Sequence, residues 1–195
     1  MPCYTVGGTV YRTAPDSDSV DCNFAADGYR LPTEAEWEKA ARGGLVGLNF
    51  PWDDTISHSQ ANYCVYSEDG ITNYYSYDVA PRPGYPVYDY YHPTHDDGSM
   101  PYSSPVGGFA PNGYGLYDMT GNMYEWCWDW YLWDYYSSSP SWTDPRGPSS
   151  GSYRVARGGS WLHYASLCRA ADRGSYVPGS SRDDVGFRPA RSAVP

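Results

Sequence analysis

Apolar and polar residues alternate over residues 3–13, CYTVGGTVYRT, on both sides of the pair Gly7-Gly8. Alternation with a period of two predicts β-strands, and two adjacent glycines readily adopt the positive φ angles of a two-residue turn. We therefore expect a β-hairpin in this part of the chain. The polar residues 14–21 that follow predict a loop.

After this loop the pattern changes from alternation to a helical period. Thr33 is a good N-cap residue, and Glu36 stands at the position that completes a capping box. The pair Gly43-Gly44 ends the pattern. These signals predict one α-helix over residues 34–42. Its inner face is expected to consist of Trp37, Ala40 and Ala41.

Most of the remaining sequence predicts loops and short strands. Residues 49–111 are rich in Tyr, Asp, Gly, Pro and Ser, and this composition predicts a long irregular region. The mostly apolar or aromatic residues 124–131 predict a buried segment, and short core strands are expected at Val155, Trp161 and residues 185–188. With 21 Gly and 17 Pro in the chain, regular elements must be short, so the predicted fold class is α+β and loop-rich.

The charge of the chain argues against some partners. The formal net charge is −10, whereas nucleic-acid binding requires clustered Lys and Arg. Because the sequence has neither a long apolar run nor a basic amphipathic stretch, we expect no membrane insertion. Acidic residues gather in loops, as at residues 95–98 (HDDG), where hard cations such as calcium could bind.

Cysteines and histidines give no simple metal or catalytic motif. The five cysteines, of which at least one must be unpaired, are Cys3, Cys22, Cys64, Cys127 and Cys168. Cys3 and Cys22 flank the predicted hairpin, where they would form a disulfide or remain as two reduced core thiols. No pair of cysteines has zinc-finger spacing. The four histidines also lack metal-ligand spacing; they are His58, His92, His95 and His163.

Several motifs occur in the order typical of one protein family. GYRLPTEAEWEKAARGG (28–44), NGYGLYDMTGNMYEWCWDWY (112–131) and RVARGGSWLHYASLCRAADR (154–173) together resemble the formylglycine-generating enzyme, or sulfatase-modifying factor, family. Shorter landmarks are PWD at 51–53, QAN at 60–62, PVGGF at 105–109 and GFRPAR at 186–191. The resemblance implies a C-type-lectin-like fold. The chain length and the lack of an internal repeat predict a single domain over residues 1–195. Its N-terminal segment is shorter than is usual in the family.

The resemblance also raises the question of catalysis. Members of this family oxidise a substrate cysteine with copper held by two cysteines, spaced C-x4-C after a GGS-aromatic turn. Counted from residues 158–161 (GGSW), the second position is Cys168, but the first is His163. Copper(I) prefers thiolates, so we do not expect copper as a cofactor. His163 and Cys168 stay the candidate residues for the alternative function, a copper-dependent formylglycine-generating oxidase or related enzyme.

A structural calcium site is a further implication of the resemblance. Family members hold calcium through the side chains that match Asp118 and Glu125 and through the carbonyl groups that match Gly121 and Met123. Carboxylate and carbonyl oxygens are the ligands that calcium prefers. The alternative is that Asp118 caps a turn and Glu125 pairs with an arginine.

A second calcium site of the family would map onto another loop. Its ligands would be Asn62, the carbonyl group of Tyr63, and the acidic loop near Asp97 and Ser99. Because the intervening segment over residues 64–95 is long in this chain, a solvated loop without calcium is the alternative.

Residues 162–184, the display segment, alternate between a fixed framework and interchangeable positions. The framework residues are Ala165, Cys168, Arg169, Ala171, Arg173, Pro178 and, beyond the segment, Gly186. The interchangeable, ligand-facing positions are Leu162, His163, Tyr164, Ser166, Leu167, Asp172, Gly174, Ser175, Tyr176, Val177, Gly179, Ser180, Ser181, Asp183 and Asp184. This arrangement resembles the variable region of diversity-generating retroelement proteins, several of which use the same fold.

The amino acids present in the display segment are compatible with that resemblance. In those systems, mutation of template adenines gives codons that end in a pyrimidine, which cannot encode Lys, Glu, Gln, Met or Trp. None of these five residue types occurs between Leu162 and Val185.

The favoured interpretation is therefore a non-catalytic domain for ligand binding and display. Tyr164 and Tyr176 would be natural contact residues, with Ser, Gly and Asp as adaptable neighbours. The expected partner is a protein or another cell-surface ligand, at a cell or virion surface. The alternatives are an ordinary divergent loop on a non-catalytic family member and the copper-dependent oxidase.

Overall fold

The predicted N-terminal hairpin is confirmed. The computed structural model describes residues 2–10, 20–68, 73–80, 89–138 and 143–192. Strands β1 (Tyr4–Val6) and β2 (Thr9–Val10) pair antiparallel. Gly7 and Gly8 join them with φ angles of 54° and 79°, as a two-residue turn of this kind requires.

A third strand, β3 (Val20–Cys22), pairs with the other edge of β1. The loop predicted over residues 14–21 is therefore wrong at its end, where Val20 and Asp21 are paired residues; its other residues lie outside the described ranges. Cys3 is buried, Cys22 is partly exposed, and both thiols are free, as expected for the reduced alternative.

The single predicted helix also forms with the expected ends. Strand β4 (Tyr29–Arg30) leads into α1 (Glu34–Arg42). The Thr33 hydroxyl oxygen accepts the Glu36 N–H at 3.2 Å, and the Glu36 carboxylate accepts the Thr33 N–H at 2.8 Å. Gly43 ends the helix with a φ of 56°. Of the expected inner face, Trp37 and Ala41 are buried, whereas Ala40 is partly exposed.

The long region between the helix and the central sheet is irregular, as its composition predicts. In the described part of this region, the short strands β5 (Val65–Tyr66) and β6 (Asp89–Tyr90) pair antiparallel. A buried apolar cluster lies beneath this region and includes Phe50, Ile56, Tyr63, Val65, Ala165 and Cys168. The last two of these residues belong to the display segment, so this cluster anchors the segment.

The central sheet has four strands in the order β10-β7-β8-β9. These are β7 (Tyr124–Trp130), β8 (Arg154–Arg157), β9 (Gly174–Tyr176) and β10 (Val185–Gly186). β10 runs parallel to β7, and the other pairs are antiparallel. The last strand, β11 (Ala190–Arg191), pairs with β4 instead. Helix α1 packs on the sheet through Trp37, Cys127 and Val155. Full burial of a side chain such as that of Val155 stabilises the fold by about 1.5–3 kcal/mol.

Two of the strand predictions fail in detail. Trp161 is 1 % exposed, as expected of a core residue, but it lies in a turn rather than in a strand. The strand predicted over residues 185–188 stops at Gly186, and Phe187 is 70 % exposed. Within the described ranges, no helix is both long and apolar enough to cross a bilayer.

Candidate functional site

The framework of the display segment includes a short 3₁₀ helix, Ala165–Cys168. Ala165 and Cys168 are each 0 % exposed, and both belong to the apolar cluster under the irregular region. Gly159 lies directly over Cys168: a Cβ atom at position 159 would be 2.4 Å from the Cys168 sulfur. The GGSW turn and the 3₁₀ helix are therefore packed against each other, which fixes the start of the segment.

All but one of the predicted ligand-facing positions are at least partly exposed. The exposed positions are Val177, Gly179, Ser181 and Asp183; the partly exposed positions are Leu162, His163, Tyr164, Ser166, Leu167, Asp172, Gly174, Ser175, Tyr176 and Ser180. Two predicted framework residues, Ala171 and Pro178, are exposed rather than buried. The alternation in the sequence thus identifies most, but not all, of the surface positions.

Asp184 is the exception, and the prediction that it faces a ligand is wrong. Its side chain is 0 % exposed, and its Oδ1 accepts a hydrogen bond from the Arg182 Nε at 2.7 Å. The Ser160 hydroxyl lies 3.5 Å from the Oδ2, and the backbone carbonyl of Asp184 accepts the Tyr124 N–H at 2.9 Å. A carboxylate is buried here because donors surround it. Asp184 therefore connects the two ends of the display segment.

His163, at the first of the two catalytic positions, is held by its neighbours. Its Nδ1 lies 2.6 Å from the Ser160 hydroxyl oxygen and 3.7 Å from the Asp184 Oδ2. Its ring also packs edge-on against Tyr124, with centroids 4.7 Å apart. Burial lowers the pKa of His163, which favours the neutral imidazole. The residue is thus a partly exposed, oriented ring.

Cys168, at the second catalytic position, is enclosed. Its sulfur is fully buried and donates to the carbonyl oxygen of His163 at 3.9 Å. Burial raises the pKa of this thiol well above its ordinary value, so the thiolate that copper(I) would bind is disfavoured. Among the described residues, no group of three or more His, Cys, Asp or Glu side chains is arranged to hold a metal ion.

The first predicted calcium site contains one carboxylate with a free oxygen and one that is already paired. Asp118 accepts the Gly107 N–H at 2.6 Å through Oδ2, while its Oδ1 is buried without a hydrogen-bond partner. Glu125 accepts the Trp37 indole N–H at 2.7 Å and two hydrogen bonds from Arg188, at 2.7 and 2.8 Å. Asp118 therefore fits a cation as a ligand, whereas Glu125 would have to exchange or share its arginine.

Arg188 also donates hydrogen bonds to backbone carbonyl groups at this site. Its Nη2 donates to the carbonyl oxygens of Tyr117 and Asp118, at 3.0 and 3.3 Å. The carbonyl of Gly121, another predicted ligand, accepts the N–H of Met123 at 2.9 Å. These contacts match the arginine-paired alternative for Glu125 and the turn-capping alternative for Asp118.

The second predicted calcium site is more dispersed. The Asn62 amide donates to the Tyr102 carbonyl at 2.8 Å, and its Oδ1 is buried without a partner. The Tyr63 carbonyl accepts the ring N–H of His58 at 3.1 Å. Asp97 is exposed and accepts the N–H of Ser99 at 3.0 Å. Asn62 is thus the one proposed ligand here with a free buried oxygen.

A buried ion-pair network connects the display segment to α1, and sequence reasoning missed it. Arg173 donates to both carboxylate oxygens of Glu34, at 2.6 and 2.7 Å. Arg157, which is 0 % exposed, donates to Glu38 at 2.6 Å and to the Ala170 carbonyl at 2.9 Å. The helical period identifies Glu34 only as a favourable first-turn acid. The arginine and glutamate of each pair are separated by more than a hundred residues, so no local pattern indicates the pairing.

The comparisons with known proteins agree with the sequence motifs. A family model described as a sulfatase-modifying factor enzyme 1-like domain matches residues 9–193. A formylglycine-generating enzyme from Thermomonospora curvata is 40% identical over 168 residues, which cover 83% of this chain and 48% of that protein. A serine/threonine-protein kinase pkn1 from Chlamydia pneumoniae is 38% identical over 176 residues, covering 87% of this chain and 23% of that one.

Solved structures give the same fold. Treponema denticola variable protein 1 superposes with a TM-score of 0.71 and 30% identity, over 97% of this chain and 62% of that one. CarF superposes with a TM-score of 0.62 and 25% identity, over 99% of this chain and 59% of that one. The chain spans about half the length of the formylglycine-generating enzymes that it matches.

Proposed function

The chain belongs to the sulfatase-modifying factor family, and from that premise we propose that it is a non-catalytic member whose display segment binds a protein or cell-surface ligand. One observation carries this proposal. Apart from Asp184, the interchangeable positions are exposed or partly exposed, while Ala165 and Cys168 between them are fully buried. A rigid framework that presents replaceable side chains is the arrangement that a binding surface requires.

The geometry at the two catalytic positions supports a non-catalytic role. Cys168 keeps its proton because it is buried, and its sulfur faces the backbone carbonyl of His163 rather than the imidazole. The His163 Nδ1 is occupied by Ser160. A two-thiolate copper site is therefore replaced by one enclosed thiol and one imidazole that hydrogen-bonds elsewhere.

The likeness to Treponema denticola variable protein 1 supports the finer proposal that the display segment is diversified. The absence of Lys, Glu, Gln, Met and Trp between Leu162 and Val185 is compatible with mutation of template adenines. Under this proposal the surface differs among copies of the gene while the framework stays the same.

The copper-dependent oxidase is the second candidate, and the relatives favour it. Formylglycine-generating enzymes are 40% and 41% identical to this chain. If the chain had that activity, Cys168 and His163 would have to bind copper after a rearrangement that exposes the thiol.

Calcium belongs to the proposal as a structural ion. The Asp118 Oδ1 would be its first ligand, because it is a buried carboxylate oxygen without a donor. Gly121 and Met123 would offer carbonyl groups, and Glu125 would be shared with Arg188. The ion would hold the turn that precedes β7; the second site would use Asn62 in the same way.

A copper(I) titration of the reduced protein, performed anaerobically beside the Cys168→Ala variant, separates the two candidate functions. We expect no stoichiometric binding in either protein and no turnover of a cysteine-containing peptide. One-to-one copper binding that is lost in Cys168→Ala, together with turnover of the peptide, would overturn the non-catalytic proposal.

A further inference from the structure

A row of packed tyrosine rings begins at Tyr164 in the display segment and continues outside that segment. Tyr164 packs against Tyr66 with ring centroids 4.8 Å apart, and Tyr66 packs against Tyr74 at 5.4 Å. Tyr75 contacts Tyr74 at 4.9 Å and stacks on Tyr77 at 5.3 Å. These five residues form a continuous tyrosine ladder from the display segment across the irregular region.

The ladder is attached firmly to the framework. The Cys64 N–H donates to the His163 carbonyl at 3.0 Å, which joins strand β5 to the start of the display segment. The Tyr74 N–H donates to the Tyr66 carbonyl at 2.9 Å. Tyr75 and Tyr77 pack against the buried apolar cluster. Because the rings are held before any ligand arrives, binding to them loses little conformational entropy.

One ring of the ladder is exposed, and carboxylates lie at its Tyr164 end and near Tyr66 along the chain. Tyr74 is 52 % exposed. The exposed Asp89 accepts the Tyr164 hydroxyl at 3.0 Å, and Glu68 is exposed two residues after Tyr66. Electron-rich ring faces beside carboxylates attract Lys and Arg side chains. The net charge of −10 on the chain acts in the same direction at longer range.

Elsewhere in this protein, aromatic faces do accept guanidinium groups. Arg154 lies 3.7 Å from the centroid of the Trp130 ring, and Arg182 lies 5.2 Å from that of Tyr176. A basic side chain of a partner would find similar faces along the ladder.

We propose that the tyrosine ladder is a constant part of the ligand-binding surface and that it fits a basic protein partner. The inference rests on the proposed display function. The display segment would supply the replaceable contacts, while Tyr74 and Asp89 would supply contacts common to every version of the surface. Exposed tyrosines are well suited to this role, since they combine a large contact area with few rotatable bonds.

A selection experiment tests the proposal. The protein is displayed on yeast with Leu162, Ser166, Leu167, Val177 and Ser181 randomised, and sorted against lysozyme, a basic protein, and ovalbumin, an acidic one. Tyr74→Ala is then introduced into the selected binders. Tyr29→Ala is the matched control, because Tyr29 is 68 % exposed on the separate strand β4. Asp89→Asn removes the charge but keeps an acceptor for Tyr164.

We expect more binders to lysozyme than to ovalbumin. Their affinity should fall by about tenfold or more in Tyr74→Ala, less in Asp89→Asn, and stay unchanged in Tyr29→Ala. Binders that tolerate Tyr74→Ala, or that appear equally against ovalbumin, would overturn the ladder proposal while leaving display intact. If folded library members gave no binders to either target, the display function itself would fail, and the ladder proposal with it.

Discussion

Asp184 and His163 lie near opposite ends of the display segment, yet the Asp184 Oδ2 is 3.7 Å from the His163 Nδ1. Ser160 contacts both side chains, at 2.6 Å from His163 and 3.5 Å from Asp184. The segment is therefore a closed loop with a buried polar junction. Under the display proposal, this junction would keep the shape of the loop while the exposed residues between its ends vary.

Replacement of Asp184 should therefore destabilise the fold. Asp184→Ala removes a buried acceptor and leaves the Ser160 hydroxyl without one partner, while the released Arg182 is exposed and stays solvated. We expect a loss of about 1–3 kcal/mol in the free energy of unfolding, measured in urea. The neighbouring, exposed Asp183→Ala is the control and should change it by less than about 0.5 kcal/mol. If the two substitutions changed the free energy of unfolding equally, Asp184 would not stabilise the fold through this junction.

Gly159→Ala should be more damaging than its size suggests. The residue has a φ of 73°, and an added Cβ would meet the Cys168 sulfur at 2.4 Å. Backbone strain and overpacking together should cost roughly 2–4 kcal/mol. Gly179→Ala, where a Cβ meets nothing within 4 Å, is the matched control and should be close to neutral. Thermal unfolding followed by circular dichroism measures both, and a stable Gly159→Ala protein would show that the turn is loosely packed.

His58 should make the protein less stable at low pH. Burial and the neighbouring His92 lower the pKa of His58 from 6.5 to about 4. Since the folded state binds this proton less well, the contribution of His58 is fully present above pH 6.5 and is lost as the pH falls through about 4. The loss should approach roughly 3 kcal/mol.

Two carboxylates oppose this trend, so a variant is needed to isolate it. Burial raises the pKa of Asp129 to about 7 and that of Asp172 to about 6, and such groups stabilise the fold less as the pH rises through those values. His58→Gln keeps a donor for the Tyr63 carbonyl but cannot be protonated. Between pH 4 and 6.5, urea unfolding should show that the free energy of unfolding of the variant rises less with pH, or falls more, than that of the wild type, by up to roughly 3 kcal/mol. Identical slopes would contradict the role of His58.

Local patterns predicted the parts of the fold that depend on local contacts. Thr33 and Glu36 mark the helix start because the capping box is formed within four residues, and Gly7-Gly8 mark the hairpin for a similar reason. Phe187 was wrongly expected in the core, because strand β10 ends one residue earlier and nothing in the sequence marks that end.

The candidate site was predictable in outline and not in its polar connections. The spacing of Ala165 and Cys168 identified the buried framework. Asp184, by contrast, looks like any loop acid. Its burial depends on Ser160, Arg182 and the first residue of β7, which only the tertiary fold brings together. The contacts of Tyr66 and Tyr74 are also long-range, and a high tyrosine density was their one sequence signal.

Calcium should stabilise the protein through Asp118. At about ten times its dissociation constant, an ion bound only to the folded state adds about 1.4 kcal/mol, which is about 3–6 °C in melting temperature for a chain of this size. We expect this rise when calcium is added to protein treated with a chelator, and no rise in Asp118→Ala. A wild-type melting temperature that is independent of calcium would contradict the calcium proposal and leave Glu125 with Arg188 and Trp37 as its partners.

The central claim is that the exposed side chains of the display segment are dispensable for folding, and two libraries on the yeast surface test it most directly. One library randomises the exposed or partly exposed Leu162, Ser166, Leu167, Val177, Ser181 and Asp183. The other randomises the buried Trp161, Ala165, Cys168, Ala170 and Asp184. Protease resistance measures the folded fraction. We predict that most members of the first library and few of the second remain folded; equal losses in both would contradict the account.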